Sequence, residues 1–310
     1  RGVVVPGMRT SLPFITDVLR KHILFAIKQQ PDYLALSFVS SAEDVTNVRA
    51  ILHENRTDVP IIAKIERGQA VSNFDAILSA SDGIMVARGD LGVDIPLERV
   101  PLVQKEIIRK CNQAGKLVIT ATQMLESMVH SARPTRAEIA DVANAIFDGT
   151  DATMLSAETS VGKYPVQAVR TMARSDQEAE KELPYEQMLA ERGGWIEQKT
   201  DELISYNACH TAHSLGAVAL VAFTQSGSTA GRVSKYRPRM PILAITPGAV
   251  VVGRLLLRWG VGSGNSLGMA AMLDDGRTGA KLCQELGLAK PGDLIVITGG
   301  IPVGVAGSTN

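Results

Sequence analysis

The feature that most limits the folds open to this chain is the repeated alternation of short apolar runs with stretches of helical spacing. Strand candidates lie at residues 33–39, 60–65, 83–86, 117–121 and 152–155, and an amphipathic segment follows each of them. Val45, Val48, Ile51 and Leu52 show the pattern, since their spacing places four apolar side chains on one helical face. Parallel neighbours cannot be joined by tight hairpins, so strand-helix units in succession specify a parallel sheet covered by helices. Residues 1–15 show no helical period, and Thr16-Asp17 reads as a cap for a helix carrying Val18, Leu19 and Ile23.

Between about residues 180 and 201 the pattern lapses into charge, Pro184 and Gly193-Gly194, which reads as a linker. Two domains are therefore expected, 1–182 and 183–310. The second carries helix candidates at 202–215, 250–258 and 268–286, strand candidates at 218–223, 241–246 and 293–297, and a short helix after the loop 224–228. With 45% hydrophobic residues among 310, the chain can bury two cores. Thirty-two basic side chains against thirty-two acidic ones leave no electrostatic footprint for nucleic acid or an anionic membrane. Cys111, Cys209 and Cys283 are odd in number and far apart, which argues against a disulfide framework and a zinc site. No uncharged apolar run approaches ~18 residues and the first residues lack the pattern of a signal peptide, so a cytoplasmic location is expected.

The strand ends carry the chemistry. Lys64 and Glu66, Arg88 and Asp90, Thr120 with Thr122, and Ser156 with Glu158 all sit where an apolar run stops. A (β/α) barrel builds its active site from the carboxyl ends of its strands, and this placement suits one. Lys64 and Glu66 are two apart and project from the same side; an exposed ion pair is the competing explanation. Gly89 and Gly92 suggest a turn whose main chain comes close to a ligand, and Asp90 offers oxygen to a divalent cation; an ordinary strand-to-loop turn accounts for them equally. Thr122 either caps a short helix or presents a hydroxyl to an anion. Thr135 and Glu138 form a capping box, leaving Arg133 and Arg136 as phosphate or subunit contacts. Met124 and Met128 read as core, and His210 and His213 have no metal-ligating companions.

In order along the chain, Ile62-Ala-Lys-Ile-Glu66, Met85-Val-Ala-Arg-Gly-Asp-Leu-Gly92, Thr120-Ala-Thr-Gln-Met-Leu-Glu-Ser-Met128, Arg133-Pro-Thr-Arg-Ala-Glu138, Asp141-Val-Ala-Asn-Ala145 and Met154-Leu-Ser-Ala-Glu-Thr159 resemble the motifs of pyruvate kinases. Ser226-Gly-Ser-Thr-Ala230, Ser234-Lys-Tyr-Arg-Pro238, Trp259-Gly-Val261 and Ile297-Thr-Gly-Gly-Ile-Pro302 extend the resemblance to nearly the whole chain. The resemblance implies a partial (β/α)8 TIM barrel followed by a three-layer α/β domain. It also implies phosphoryl transfer from phosphoenolpyruvate to ADP, giving pyruvate and ATP, with Mg2+ or Mn2+ and K+ as cofactors. Lys64 then matches the lysine that stabilises the transferring phosphoryl group, and Glu66 and Asp90 match the divalent-ion ligands. Ala87, Arg88, Gly89 and Asp90 match the turn that holds the substrate carboxylate. Thr122 matches the threonine that binds substrate and directs enolate protonation, with Ser156 and Glu158 in support.

The loop Thr224, Ser226, Gly227, Ser228 and Thr229 resembles the one that receives a sugar-phosphate effector, with simple helix capping as its alternative. A homotetramer is also implied. Two departures stand out: Arg67-Gly-Gln-Ala70 replaces the usual Asn-Gln-Glu-Gly, and Ala157 replaces a customary glycine. The family's first three barrel strands, its potassium ligands and its lid domain have no counterpart in these motifs. Five barrel strands cannot close where eight are needed, so the chain alone is expected to lack turnover. A non-catalytic module of the same lineage, or another barrel enzyme acting on phosphoenolpyruvate or pyruvate, would share much of this pattern.

Overall fold

The structure is a computed structural model that describes residues 13–266 and 275–299. Its contacts divide the chain into two compact units, Arg1–Leu183 and Pro184–Asn310. Within the first, α1 (Asp17–Lys28) leads to β1 (Leu34–Leu36), α2 (Ala42–Glu54), β2 (Ile61–Ile65), α3 (Gly68–Ser72), α4 (Phe74–Ala80), β3 (Gly83–Ala87) and α5 (Arg88–Asp94). There follow α6 (Val100–Gln113), β4 (Leu117–Ala121), α7 (Arg136–Asp148), β5 (Ala152–Met154), α8 (Ala157–Ser160) and α9 (Pro165–Lys181). The expected caps are in place: Thr16 Oγ1 accepts from Leu19 N at 3.1 Å, and Ser41 with Asp44 closes a capping box at the start of α2.

The five strands form one parallel sheet in the order β1-β2-β3-β4-β5. β3 and β4 are buried at every position, which is why their sequences run apolar without alternation: helices or packed side chains cover both faces. Ile61, Ile65, Ile84, Val86 and Val118 pack against Val48, Ile51, Leu52, Ile77, Ile107 and Ile108 from the covering helices. A second cluster, with Met124, Met128, Val142, Ala145, Ala168 and Met172, joins α7 and α9 to the segment after β4.

Several segments differ from the expectation. The helix expected near residue 70 is two short ones broken at Asn73, whose Nδ2 donates to Ser40 O at 2.8 Å. Residues 88–94, read as a glycine turn, are helix α5, and neither Gly89 nor Gly92 has positive φ. No helix begins at Thr122; Thr122 and Gln123 have φ of 68° and 54°, and only a 3-10 turn at Glu126–Val129 follows. Met124 and Met128 are buried as expected, but on this irregular segment.

The second unit contains α10 (Tyr185–Gly193), α11 (Thr200–Leu215), β6 (Ala219–Phe223), α12 (Ser228–Lys235), β7 (Ile242–Thr246), α13 (Ala249–Leu255), β8 (Val261–Ser266), α14 (Asp275–Glu285) and β9 (Ile295–Thr298). Its parallel sheet runs β8-β7-β6-β9. α10 replaces much of the expected linker: its polar sequence hides an anchor in which the Arg192 guanidinium donates to Lys235 O. Nearby, Tyr236 Oη donates to Glu202 Oε2 at 2.6 Å and Lys235 Nζ pairs with the same oxygen at 2.8 Å. β8 was not expected, because Gly-Ser-Gly-Asn-Ser lacks the apolar signal of a strand. The expected helix at 268–286 is described only from Asp275, and the motif at 297–302 extends beyond the described residues. Among the described residues no helix is long and apolar enough to cross a membrane.

Candidate active site at the strand ends

Lys64 is the penultimate residue of β2 and Glu66 the first beyond its end, so the two-residue period sends both side chains to one side. They meet there: Lys64 Nζ lies 2.5 Å from Glu66 Oε1. The Glu66 side chain is 1% exposed and that of Lys64 22%, so this is not the freely solvated surface pair that the sequence left open. The turn after β1 completes the group. Phe38 N donates to Glu66 Oε2 at 2.5 Å, and Lys64 Nζ donates to Ser37 Oγ at 2.8 Å. Sequence reasoning missed both residues; their position just past the apolar run Leu34–Leu36 was the signal available.

Lys64 stands opposite Met85 and Ile65 opposite Val86, which brings Glu66 level with Ala87 at the end of β3. α5 starts at the next residue, and its first-turn N–H groups have no acceptor within the helix. Asp90 lies in that turn, exposed and with no hydrogen bond or ion pair among the described residues. Ala121 is level with Ala87 on β4, so Thr122 arrives beside the same turn, where its Oγ1 accepts from Gly89 N at 2.7 Å and donates to Ala121 O at 2.6 Å.

The Arg88 side chain runs inward. It is 8% exposed, pairs with Asp141 at 2.7 Å, and donates to Thr122 O at 2.9 Å and Gln123 O at 3.2 Å. Two successive non-glycine residues in left-handed backbone cost about 1–2 kcal/mol each, and the guanidinium fork compensates by taking both carbonyls. Glu158 is fully buried and works from the other side: Oε1 accepts from Leu125 N at 3.0 Å and Oε2 from Ser156 N at 2.8 Å. Ser156 thus joins the group through its main chain.

Among the described residues no three His, Cys, Asp or Glu side chains cluster as a metal cage. Glu66 and Asp90 instead offer two carboxylates on neighbouring strand ends, one of them without a partner. That donor set fits a hard cation such as magnesium, which keeps water and takes substrate oxygens beside one or two carboxylates.

In the second unit, Gly227 is the N-cap of α12 with φ of 89°, and as a glycine it makes no side-chain bond to the helix. Thr224 Oγ1 accepts from Gly227 N at 3.0 Å, while Ser226 Oγ lies 3.2 Å from Ser228 Oγ. Thr224 and Thr229 are buried; Ser226 faces solvent.

Comparison with known proteins finds relatives of both units. The family model for the pyruvate kinase barrel domain matches residues 1–169, and that for the pyruvate kinase alpha/beta domain matches residues 202–310. A pyruvate kinase from Clostridium acetobutylicum is 48% identical over 311 residues, covering all of this chain and 66% of that protein. One from Geobacillus stearothermophilus is 49% identical over 314 residues, covering all of this chain and 53% of that protein. The crystal structure of a pyruvate kinase from Cryptosporidium parvum superposes with a TM-score of 0.91 at 39% identity, covering 98% of this chain and 63% of that one. The chain therefore spans between about half and two thirds of the length of the relatives it matches.

Proposed function

This chain belongs to the pyruvate kinase family, and on that premise we propose that it carries the strand-end machinery that moves the phosphoryl group of phosphoenolpyruvate to ADP. The observation that carries the reading is the Lys64–Glu66 pair, with Glu66 buried and Lys64 half-buried, at the end of β2 on the strand next to the one that leads to an unpartnered Asp90. In the reaction the bond from phosphorus to the enol oxygen breaks and a bond to the terminal oxygen of ADP forms. The enolate left behind takes a proton at its methylene carbon and becomes pyruvate.

Lys64 supplies fixed positive charge where the phosphoryl group and the enolate oxygen carry their growing negative charge. The turn Ala87, Arg88, Gly89 and Asp90 receives the substrate carboxylate together with Thr122, whose hydroxyl yields the Gly89 N–H to it; Thr122 also directs protonation of the enolate. Family membership carries a metal requirement in general. Magnesium or manganese, held by Glu66 and Asp90, supplies Lewis-acid neutralisation of oxygen charge when bound. Potassium is the second cation of the reading. The first domain, 1–182, carries the chemistry, and the second, 183–310, carries the effector loop at Thr224–Thr229 and subunit contacts of a cytoplasmic homotetramer.

A coupled assay for pyruvate tests the reading, applied to the chain joined to the part of the Clostridium relative that it does not span. Turnover is expected, and Lys64→Met should lower it about a thousandfold, equivalent to ~4 kcal/mol of transition-state stabilisation. Absence of turnover, or a Lys64→Met variant within tenfold of its parent, would sink the assignment.

A further inference from the structure

The ammonium of Lys64 has three N–H bonds, and two of them are spoken for, one by Glu66 Oε1 and one by Ser37 Oγ. With two directions of a tetrahedral group fixed, the third is fixed as well. The same turn also holds the other member of the pair, because the next residue, Phe38, donates its N–H to Glu66 Oε2. Phe38 adopts left-handed backbone, with φ of 59°, and its ring sits under the Arg67 guanidinium at 5.2 Å. That conformation is uncommon for a bulky residue, and the contacts on both sides of it hold the turn in place.

From this geometry we propose that Ser37 is a positioning residue for Lys64: its hydroxyl orients the ammonium so that the remaining N–H addresses the transferring group, while the Phe38 amide orients Glu66. This rests on the functional reading above and adds a residue to it. Removing the hydroxyl leaves the charge of Lys64 intact but lets the ammonium pivot on Glu66 alone. The loss therefore falls on the chemical step and not on cation affinity.

Ser37→Ala and Ser37→Thr are made in the protein used for the coupled assay, each also in the Lys64→Met background. Ser37→Ala should lower kcat about tenfold, the order of effect of one hydrogen bond to a charged group, with KM and Mn2+ affinity within about twofold of the parent. Ser37→Thr, which keeps the hydroxyl, should restore most of kcat. In the Lys64→Met background Ser37→Ala should change nothing further, since a residue that acts only through Lys64 has nothing left to orient. An unchanged kcat, or an equal loss in both backgrounds, overturns the proposal. Turnover of the parent reports on the functional reading separately, whereas the ratios between variants report on Ser37. A crystal structure of the 310-residue Ser37→Ala chain gives a measure independent of turnover: Lys64 Nζ should leave its place while Glu66 stays on the Phe38 amide, and an unmoved ammonium would also overturn the proposal.

Discussion

Asp176 lies on α9 with one carboxylate oxygen accepting from Thr153 Oγ1 at 2.9 Å, while the other is buried without a partner among the described residues. Burial pushes its pKa up to about 6; the Thr153 hydrogen bond opposes this and the charge of Glu180 adds to it. An acid whose folded pKa is raised disfavours the folded state once it must ionise, so its penalty is absent at low pH and complete above about pH 6. Asp176→Asn should therefore raise Tm at pH 7.5, and the gain should shrink as pH falls below about 6; a gain that does not vary with pH would contradict the assignment. Nothing in the sequence singled out Asp176, because its burial comes from the packing of α9 against Thr153 of β5, within the first unit. Lys64 and Glu66 were legible because a strand's period alone puts them together. Arg88 was only half legible: its main chain stands at the strand end as expected, though as the first residue of α5, and its side chain answers to Asp141 on α7, a contact that no local pattern encodes.

The helix starts were the most readable elements, since a cap is local chemistry. Thr135 and Glu138 form the expected box at the head of α7, yet Glu138 does more than close it. Its Oε1 also accepts from Ser127 N at 2.7 Å and its Oε2 from Ser127 Oγ at 2.6 Å, which ties the segment after β4 to the start of α7. Burial raises the Glu138 pKa, but the hydrogen bonds from Ser127 and Thr135 together outweigh it and leave the pKa lowered. The sign is opposite to that of Asp176: the contribution is full at neutral pH and is lost as pH falls through the lowered value. Glu138→Gln should cost stability at pH 7 and progressively less in acid, as measured by urea denaturation between pH 7 and pH 3, and a constant difference would refute it. α5, α10 and β8 were misread for one reason. In each the local signal, two glycines, a polar stretch or a small-residue run, was overridden by packing: Arg88 into the first unit, Arg192 onto Lys235, and β8 onto β7.

Each unit has its own sheet and its own core, Ile61, Ile84 and Val118 in one, Leu220, Ile242 and Tyr236 in the other. Residues 184–310 by themselves should consequently melt in a single cooperative transition by circular dichroism, and a featureless unfolding curve would contradict this. In the first unit β1 and β5 have one strand neighbour each among the described residues, so their outer amides should exchange with deuterium well before those of β3. The two strand orders also bear on synthesis at the ribosome. In the first sheet every strand lies beside the one made just before it, so the sheet can grow by accretion as the chain emerges. In the second, the central strand β6 needs β9 on one flank, and about seventy residues separate the end of one from the start of the other. At about 5–20 residues per second, β6 waits roughly 4–14 seconds for its second neighbour. During that interval β6 has β7 alone beside it, and its other edge lies open to whatever chaperone is at hand.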